Sequence, residues 1–230
     1  MIIHVVSAGQ TLSGIAAAYG VSVARLGSDK GILDPNTLVE GQALVIQRPT
    51  ATYTVRPGDT LGSIAATTGV PALTLVQNNP ALVSGRLVAG ETLALAFEGE
   101  KEGTLALTGY AYPFIDREVL AHALPYLTYL TIFGYGFTTE GDLIPVDDDA
   151  LITIARRFGV GPVMLLSTVT ESGTFSTERA SLMLRNSAVQ ARLIEQIVAK
   201  MREKAMSGWI LTLNSSNQTC ARHILTLSSK

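Results

Sequence analysis

Near the end of the chain, Cys220 and His223 stand at C-x-x-H spacing, at which a thiolate and an imidazole can share one metal ion. No second pair of ligand types stands beside them, so the spacing is read as chance and no metal site is expected. Asp147, Asp148 and Asp149 run together just before the apolar-patterned segment "ALITIA". Capping of a helix and its N-terminal dipole account for three acids there without a cation. His122 falls within a helical pattern and is read as a surface or core-edge histidine. Neither a Gly-rich phosphate loop nor a Ser-His-Asp arrangement emerges, and no carboxylate follows Glu203. No cofactor is expected.

The formal net charge of -2 and the absence of a Lys/Arg-rich block leave no electrostatic footprint for nucleic acid or an anionic membrane surface. The expected partners are therefore neutral or mildly charged. A single cysteine excludes an intrachain disulfide framework. The opening "MIIHVVSAGQTL" has neither a basic stretch nor an apolar run of leader length, so a standard secretory route is not expected, and no segment has the length and apolarity of a membrane span.

The elements that must carry any function begin with a repeat. "HVVSAGQTLSGIAAAYGVSVARL" (4–26) aligns without a gap on "YTVRPGDTLGSIAATTGVPALTL" (53–75), at an offset of 49 residues that continues through Leu44 and Leu93. Two copies of one small module follow from this. Each reads as strand, helix, helix, strand. In the second copy, Pro57-Gly58 makes a turn and Asp59 or Thr60 caps a helix with apolar positions Leu61, Ile64 and Ala65. Gly69 ends that helix, Pro71 opens a second, Asn78-Asn79-Pro80 stops it, and "ETLALAF" returns as a strand.

The residues "YTVRPGDTLGSIA", "NNP" and "LVAGETLAL" resemble the LysM module, and the first copy resembles it nearly as well. That resemblance implies binding of N-acetylglucosamine polymers, peptidoglycan or chitin, in a groove between the first strand–helix loop and the second helix–strand loop. Carried over by position, the groove uses Gly58, Asp59, Thr60 and Leu61 with Asn79, Pro80 and Ala81. In the first copy it uses Gly9, Gln10, Thr11 and Leu12 with Lys30, Gly31 and Ile32. Gln10 departs from the family's usual Asp, and Lys30 from its common Asn.

After a charged, Gly-containing linker the period changes. "TLALTGYAYPF", "LTYLTIFGYGF" and "PVMLLSTV" read as buried strands, with helices at "DREVLAHALPYL", "DDDALITIARRFG", "STERASLMLRN" and "SAVQARLIEQIVAKMREKAM". Leu193, Ile194, Ile197, Val198 and Met201 form one apolar face on the last. Buried strands alternating with helices predict a parallel sheet. These segments resemble the N-terminal half of the chitinase-like (β/α)8 barrel of glycoside hydrolase family 18, in particular the LysM-bearing N-acetylglucosaminidases of spore germination and cortex breakdown. The expected layout is an α/β chain of five parts: LysM modules at 1–48 and 52–97, a linker at 98–103, a partial TIM barrel at 104–208 and an aberrant tail at 209–230. The resemblance also implies an association with spore cortex, spore coat or cell wall, and sugar stacking on aromatic residues at strand ends, here Tyr110 and Tyr135.

The same resemblance implies a fourth strand after Gly208 reading D-x-D-x-E, whose Glu protonates the glycosidic oxygen while the substrate's N-acetyl group attacks the anomeric carbon. The strand in this chain reads "WILTLNSS". Back-translation one nucleotide earlier, with synonymous codons left to choice, can read D-I-D-F-E at that place, with the Glu encoded across Leu213 and Asn214. A one-base frame change is therefore expected, and the chain as written is expected to bind glycan without hydrolysing it. The alternatives are a working family 18 glycosidase, if the frame continues, and a non-enzymatic spore-coat or wall-anchoring protein. Incubated with peptidoglycan fragments, the purified chain should release no sugar; measurable release would contradict the expectation.

Overall fold

A computed structural model describes residues 2–21, 23–28, 38–99, 103–170 and 172–213. The chain divides into two compact units, 1–104 and 105–230. Lys30, Gly31 and Ile32, part of the linker, and the tail with Cys220 and His223 lie outside the described residues.

The first unit holds the two repeats. In the first, β1 (Ile2–Val5) pairs antiparallel with β2 (Ala43–Ile46), and α1 (Leu12–Tyr19) and α2 (Val23–Ser28) come between them in the chain. In the second, β3 (Pro49–Thr54) pairs with β4 (Thr92–Phe97), around α3 (Leu61–Thr68) and α4 (Ala72–Asn78). A 3-10 turn over Pro80–Ser84 follows α4, where the sequence pattern shows only a stop. Each module has its own core: Leu12, Ile15, Leu26, Leu44 and Ile46 in one, Ile64, Leu75, Leu82 and Leu93 in the other. Thr11 and Thr60 are the helix caps, accepting from the N–H groups of Gly14 and Ser63. Gly20 and Gly69 close the same helices at φ 68° and 72°, a left-handed conformation that a side chain disfavours.

The second unit is a sheet with a helix layer. Strands β5 (Thr108–Ala111), β6 (Tyr129–Phe137), β8 (Gly161–Ser167) and β9 (Gly208–Thr212) run parallel in that order. A short strand, β7 (Leu143–Ile144), pairs antiparallel with the end of β6. The helices are α5 (Arg117–Ala123), α6 (Asp149–Arg157), α7 (Thr177–Arg185) and α8 (Ser187–Glu203). Leu130 and Ile132 of β6 and Met164 and Leu166 of β8 share one core cluster with Leu151 and Ala155 of α6 and Leu193 and Ile197 of α8. β6 and β8 are the inner strands of the described sheet: Leu130, Ile132, Met164 and Leu166 are buried with the helix layer, and Thr131, Val163 and Leu165 on the other face are buried as well. The strand expected after Gly208 is present as β9, in register with β8 from Val163 opposite Gly208 to Ser167 opposite Thr212.

Three expectations are corrected. "TLALTGYAYPF" is not a buried strand: only Thr108–Ala111 is extended, and Leu105 and Leu107 are 81% and 48% exposed, because this strand stands at the sheet's edge. The apolar face of α8 is split. Leu193 and Ile197 are buried, whereas Ile194 and Val198 are 39% and 36% exposed beside the edge strand β9. Asp148 takes the N-cap position of α6 but makes no side-chain cap. Its buried carboxylate instead accepts from the Tyr135 hydroxyl at 2.7 Å and pairs with Lys204. Burial opposes the Lys204 ammonium, but its hydrogen bonds to Asp148 and Asp149 outweigh that and raise its pKa. Burial, followed by the bond to Asp148, pushes the Tyr135 phenol far above its ordinary value.

In the second module, the buried amide of Asn79 donates to the carbonyls of Leu75 and Ala94 at 2.8 and 2.9 Å and accepts from the Ala94 N–H at 2.8 Å. Asn79 thus ties the end of α4 to β4. Asn79→Leu strands these buried groups and should destabilise the module by about 3 kcal/mol. The check is amide hydrogen exchange of the full chain: protection should fall at Leu93 and Ala94 and persist in β6 and β8.

Candidate functional site

The first strand–helix loop of each module is built around one side-chain acceptor. In the second module, Asp59 Oδ2 accepts from the Arg56 backbone N–H at 2.7 Å and from the Tyr53 hydroxyl at 2.9 Å. The Arg56 bond, then that from Tyr53, lowers the carboxyl's pKa. Donation to a carboxylate raises that of the Tyr53 phenol. A capping box follows, in which Thr60 Oγ1 accepts from the Ser63 N–H and Ser63 Oγ from the Thr60 N–H, each at 3.0 Å.

The first module repeats this plan with other residues. Gln10 Oε1 accepts from the Ser7 N–H at 2.8 Å and lies 2.9 Å from His4 Nε2. An oxygen already serving as acceptor assigns the proton to Nε2, which leaves Nδ1 to accept from the Tyr19 hydroxyl 3.1 Å away. His4 and Gln10 occupy the repeat positions of Tyr53 and Asp59. The departure at Gln10 is therefore matched by a departure at its donor. Sequence reading missed the pairing, although the offset of 49 residues already set the two positions against each other.

Several carried-over residues are spent inside the modules. Asn79 is 8% exposed with its amide engaged, and Leu12 is 1% exposed in the first core, so neither presents a side chain to a ligand. Gly9, Gln10 and Thr11, and Gly58 and Thr60, are exposed, whereas Asp59 and Leu61 are half-buried. On the second loop, Pro80 is half-buried and Ala81 exposed. Leu61 and Leu82 pack on the same cluster, which anchors both loops of the second module to one core.

The second unit contributes an aromatic ledge. Tyr110 lies opposite Thr131 in the β5–β6 register and therefore on the face that β6 shares with Phe133. The Tyr110 and Phe133 ring centroids are 6.0 Å apart, Tyr112 stacks on Phe133 at 4.8 Å, and Phe114 stacks on Tyr112 at 5.1 Å. Tyr110, Tyr112 and Phe114 are 58%, 48% and 83% exposed. Phe114 was not singled out from the sequence, although Pro113 beside it marks the turn that follows β5. Tyr135 is corrected: a bulge in β6 turns it into the helix layer, where it is fully buried against Asp148 and offers no ring face. Among the described residues no group of three or more His, Cys, Asp or Glu side chains is arranged to hold a metal ion. No described helix is long and apolar enough to cross a membrane.

The LysM domain model matches residues 4–47 and 53–95. The cortical fragment-lytic enzyme of Bacillus anthracis is 39% identical over 208 residues, 87% of this chain and 48% of that protein. Its counterpart from Bacillus cereus is 40% identical over 207 residues, with the same coverage. The crystal structure of the Bacillus cereus spore cortex-lytic enzyme SleL superposes with a TM-score of 0.68 at 25% identity, covering 97% of this chain and 53% of that one. The chain spans about half the length of the curated relatives it matches. The protein thus carries LysM domains and is homologous to the cortical fragment-lytic and spore cortex-lytic enzymes.

Proposed function

We propose that the chain binds N-acetylglucosamine polymers of the peptidoglycan or chitin type through its two LysM modules, within a lineage of spore-germination glycosidases of family 18. The observation that carries this reading is the duplicated loop. Two modules hold the same turn with different side chains, Tyr53 and Asp59 in one and His4 and Gln10 in the other. The shape of the loop is kept while its chemistry changes, as a backbone-lined groove for a neutral glycan requires. Exposed Gly9, Gly58 and Ala81 leave such a backbone accessible, and two weak sites on one chain gain avidity on a polymer. The proposed place of action is the spore cortex, the spore coat or the cell wall.

In the second unit, the ledge of Tyr110, Tyr112, Phe114 and Phe133 fits sugar rings stacked near the ends of β5 and β6. The chain as written is proposed to be hydrolytically inactive, since Gly208–Leu213 contains no carboxylate. The presence of β9 in register beside β8 favours a second reading, in which a continued frame supplies the acids on that strand and yields a working glycosidase. Sequencing the gene across the codons for Ala205 to Leu213 separates the two.

Retention on insoluble peptidoglycan or chitin tests the binding reading. The parent chain should be retained; Thr11→Ala with Thr60→Ala should weaken retention by removing both caps, and Thr11→Ser with Thr60→Ser should restore it. A parent chain that passes through both polymers contradicts the proposal. The acceptors also predict a pH dependence. Because the pKa of Asp59 is lowered on folding, its stabilisation is present above the ordinary carboxylate pKa and is lost as pH falls through the folded value. Amide spectra of the loop Arg56–Thr60 should therefore hold from neutral into mildly acidic solution and change below it. The Ser7–Thr11 loop, held by an uncharged amide, should show no transition in that acidic range.

A further inference from the structure

We propose that Arg48 locks the two LysM modules into one rigid bivalent unit and so sets the spacing at which a glycan polymer is held; the inference rests on glycan binding by the modules. The link between them is short. Ile46 is the last residue of β2 and lies in the first core, whereas the Arg48 carbonyl already accepts from the Glu98 N–H just beyond β4, beside the pairing of Pro49 with Phe97. Gln47 alone therefore separates the two hydrogen-bonded ladders. Pro49 fixes its own φ and confines Arg48 to extended backbone, which removes much of the freedom that remains.

The Arg48 side chain turns back to the first module, where its Nε donates to the Tyr19 carbonyl at 3.1 Å. Tyr19 is the last residue of α1, at the end where carbonyls lack partners within the helix and the dipole favours a cation. Arg48 thus joins the end of a helix in one module to the strand pair of the other. The contact belongs to the link and not to the repeat. At the offset of 49 residues the corresponding positions hold Thr68 and Phe97. The Thr68 hydroxyl donates to the Ile64 carbonyl of its own helix, and phenylalanine has no side-chain donor.

This tie reaches both candidate loops. The Tyr19 hydroxyl donates to His4, which donates to Gln10, the acceptor that fixes the turn from Ser7. On the other side, Glu98 continues β4, whose Ala94 is bound to Asn79 and so to the turn that opens at Pro80. The two loops are therefore held at one separation and one orientation. Between flexibly tethered sites, the effective concentration is averaged over every conformation of the tether. Here that ordering is complete on folding, so a polymer presenting sugars at the fixed separation gains the full avidity, and an oligomer that fills one loop gains none.

Residual dipolar couplings of the full chain, paired with titration by chitotriose and depletion on insoluble peptidoglycan and chitin, test the proposal. In the parent, one alignment tensor should fit both modules. Arg48→Ala should require separate tensors and weaken binding to the retaining polymer about fivefold, while chitotriose shifts at Ser7–Thr11 and Arg56–Thr60 stay unchanged. Arg48→Lys keeps a cationic donor and should return both readouts toward the parent. A Gly-Ser-Gly-Ser insertion between Gln47 and Arg48 lengthens the link without altering either core and should act as Arg48→Ala does. Separate tensors in the parent overturn the proposal, as does an Arg48→Ala variant equal to the parent in couplings and polymer binding; in both cases the chitotriose shifts still support glycan binding. Absence of those shifts in the parent overturns the glycan reading, and the proposal with it.

Discussion

A parallel strand offers hydrogen-bonding groups to both sides, and its sheet is stable in water only when both faces are covered and both edges are managed. That requirement organises the second unit. β6 and β8 are paired on both sides, and Leu130, Ile132, Met164 and Leu166 are buried on the face against which the helices Asp149–Arg157 and Ser187–Glu203 are held. Among the described residues, β5 and β9 are paired on one side only. The exposure of Leu107, Ile194, Val198 and Trp209 is the consequence, because each stands where a further strand or helix would lie. A buried charge cluster adds to the constraint. Asp148, Tyr135 and Lys204 link the start of α6, the bulge of β6 and the end of α8, and removal of one partner would leave an uncompensated carboxylate or ammonium.

The LysM modules avoid the problem by being small. Each two-stranded antiparallel sheet is covered by its own helices, and each closes a separate core. Local hydrogen bonds supply what so small a core lacks. The acceptor at position 10 or 59 fixes the turn, the threonine after it caps the helix, and Asn79 joins helix to strand. A loop made in this way depends on backbone shape. The two copies can therefore exchange a carboxylate for an amide and a phenol for an imidazole without changing the turn.

Much of this was legible in the sequence where the signal is local. The repeat offset, Gly20 and Gly69 after α1 and α3, and Pro71 before α4 mark their elements directly. The parallel order followed from alternating apolar runs and helices, and β9 from the place where a strand was due. What escaped the sequence was set by tertiary context. Tyr135 shares its aromatic neighbourhood with Phe133, yet the register shift between Ile132 and Tyr135 sends the two rings into different layers. Asn79 looks like a loop residue on a binding surface, and only the carbonyls of Leu75 and Ala94 reveal its structural role. Asp148 reads as a cap, but Lys204, far along the chain, draws it into a buried ion pair.

Glycan recognition by the paired modules is the central claim, and residue-resolved titration of the full chain with N-acetylglucosamine oligomers of increasing length tests it most directly. The account predicts amide shifts in Ser7–Thr11, in Arg56–Leu61 and around Pro80–Leu82, with tighter binding once an oligomer is long enough to engage both modules. Unchanged spectra at these positions up to the solubility limit of the oligomers would contradict it.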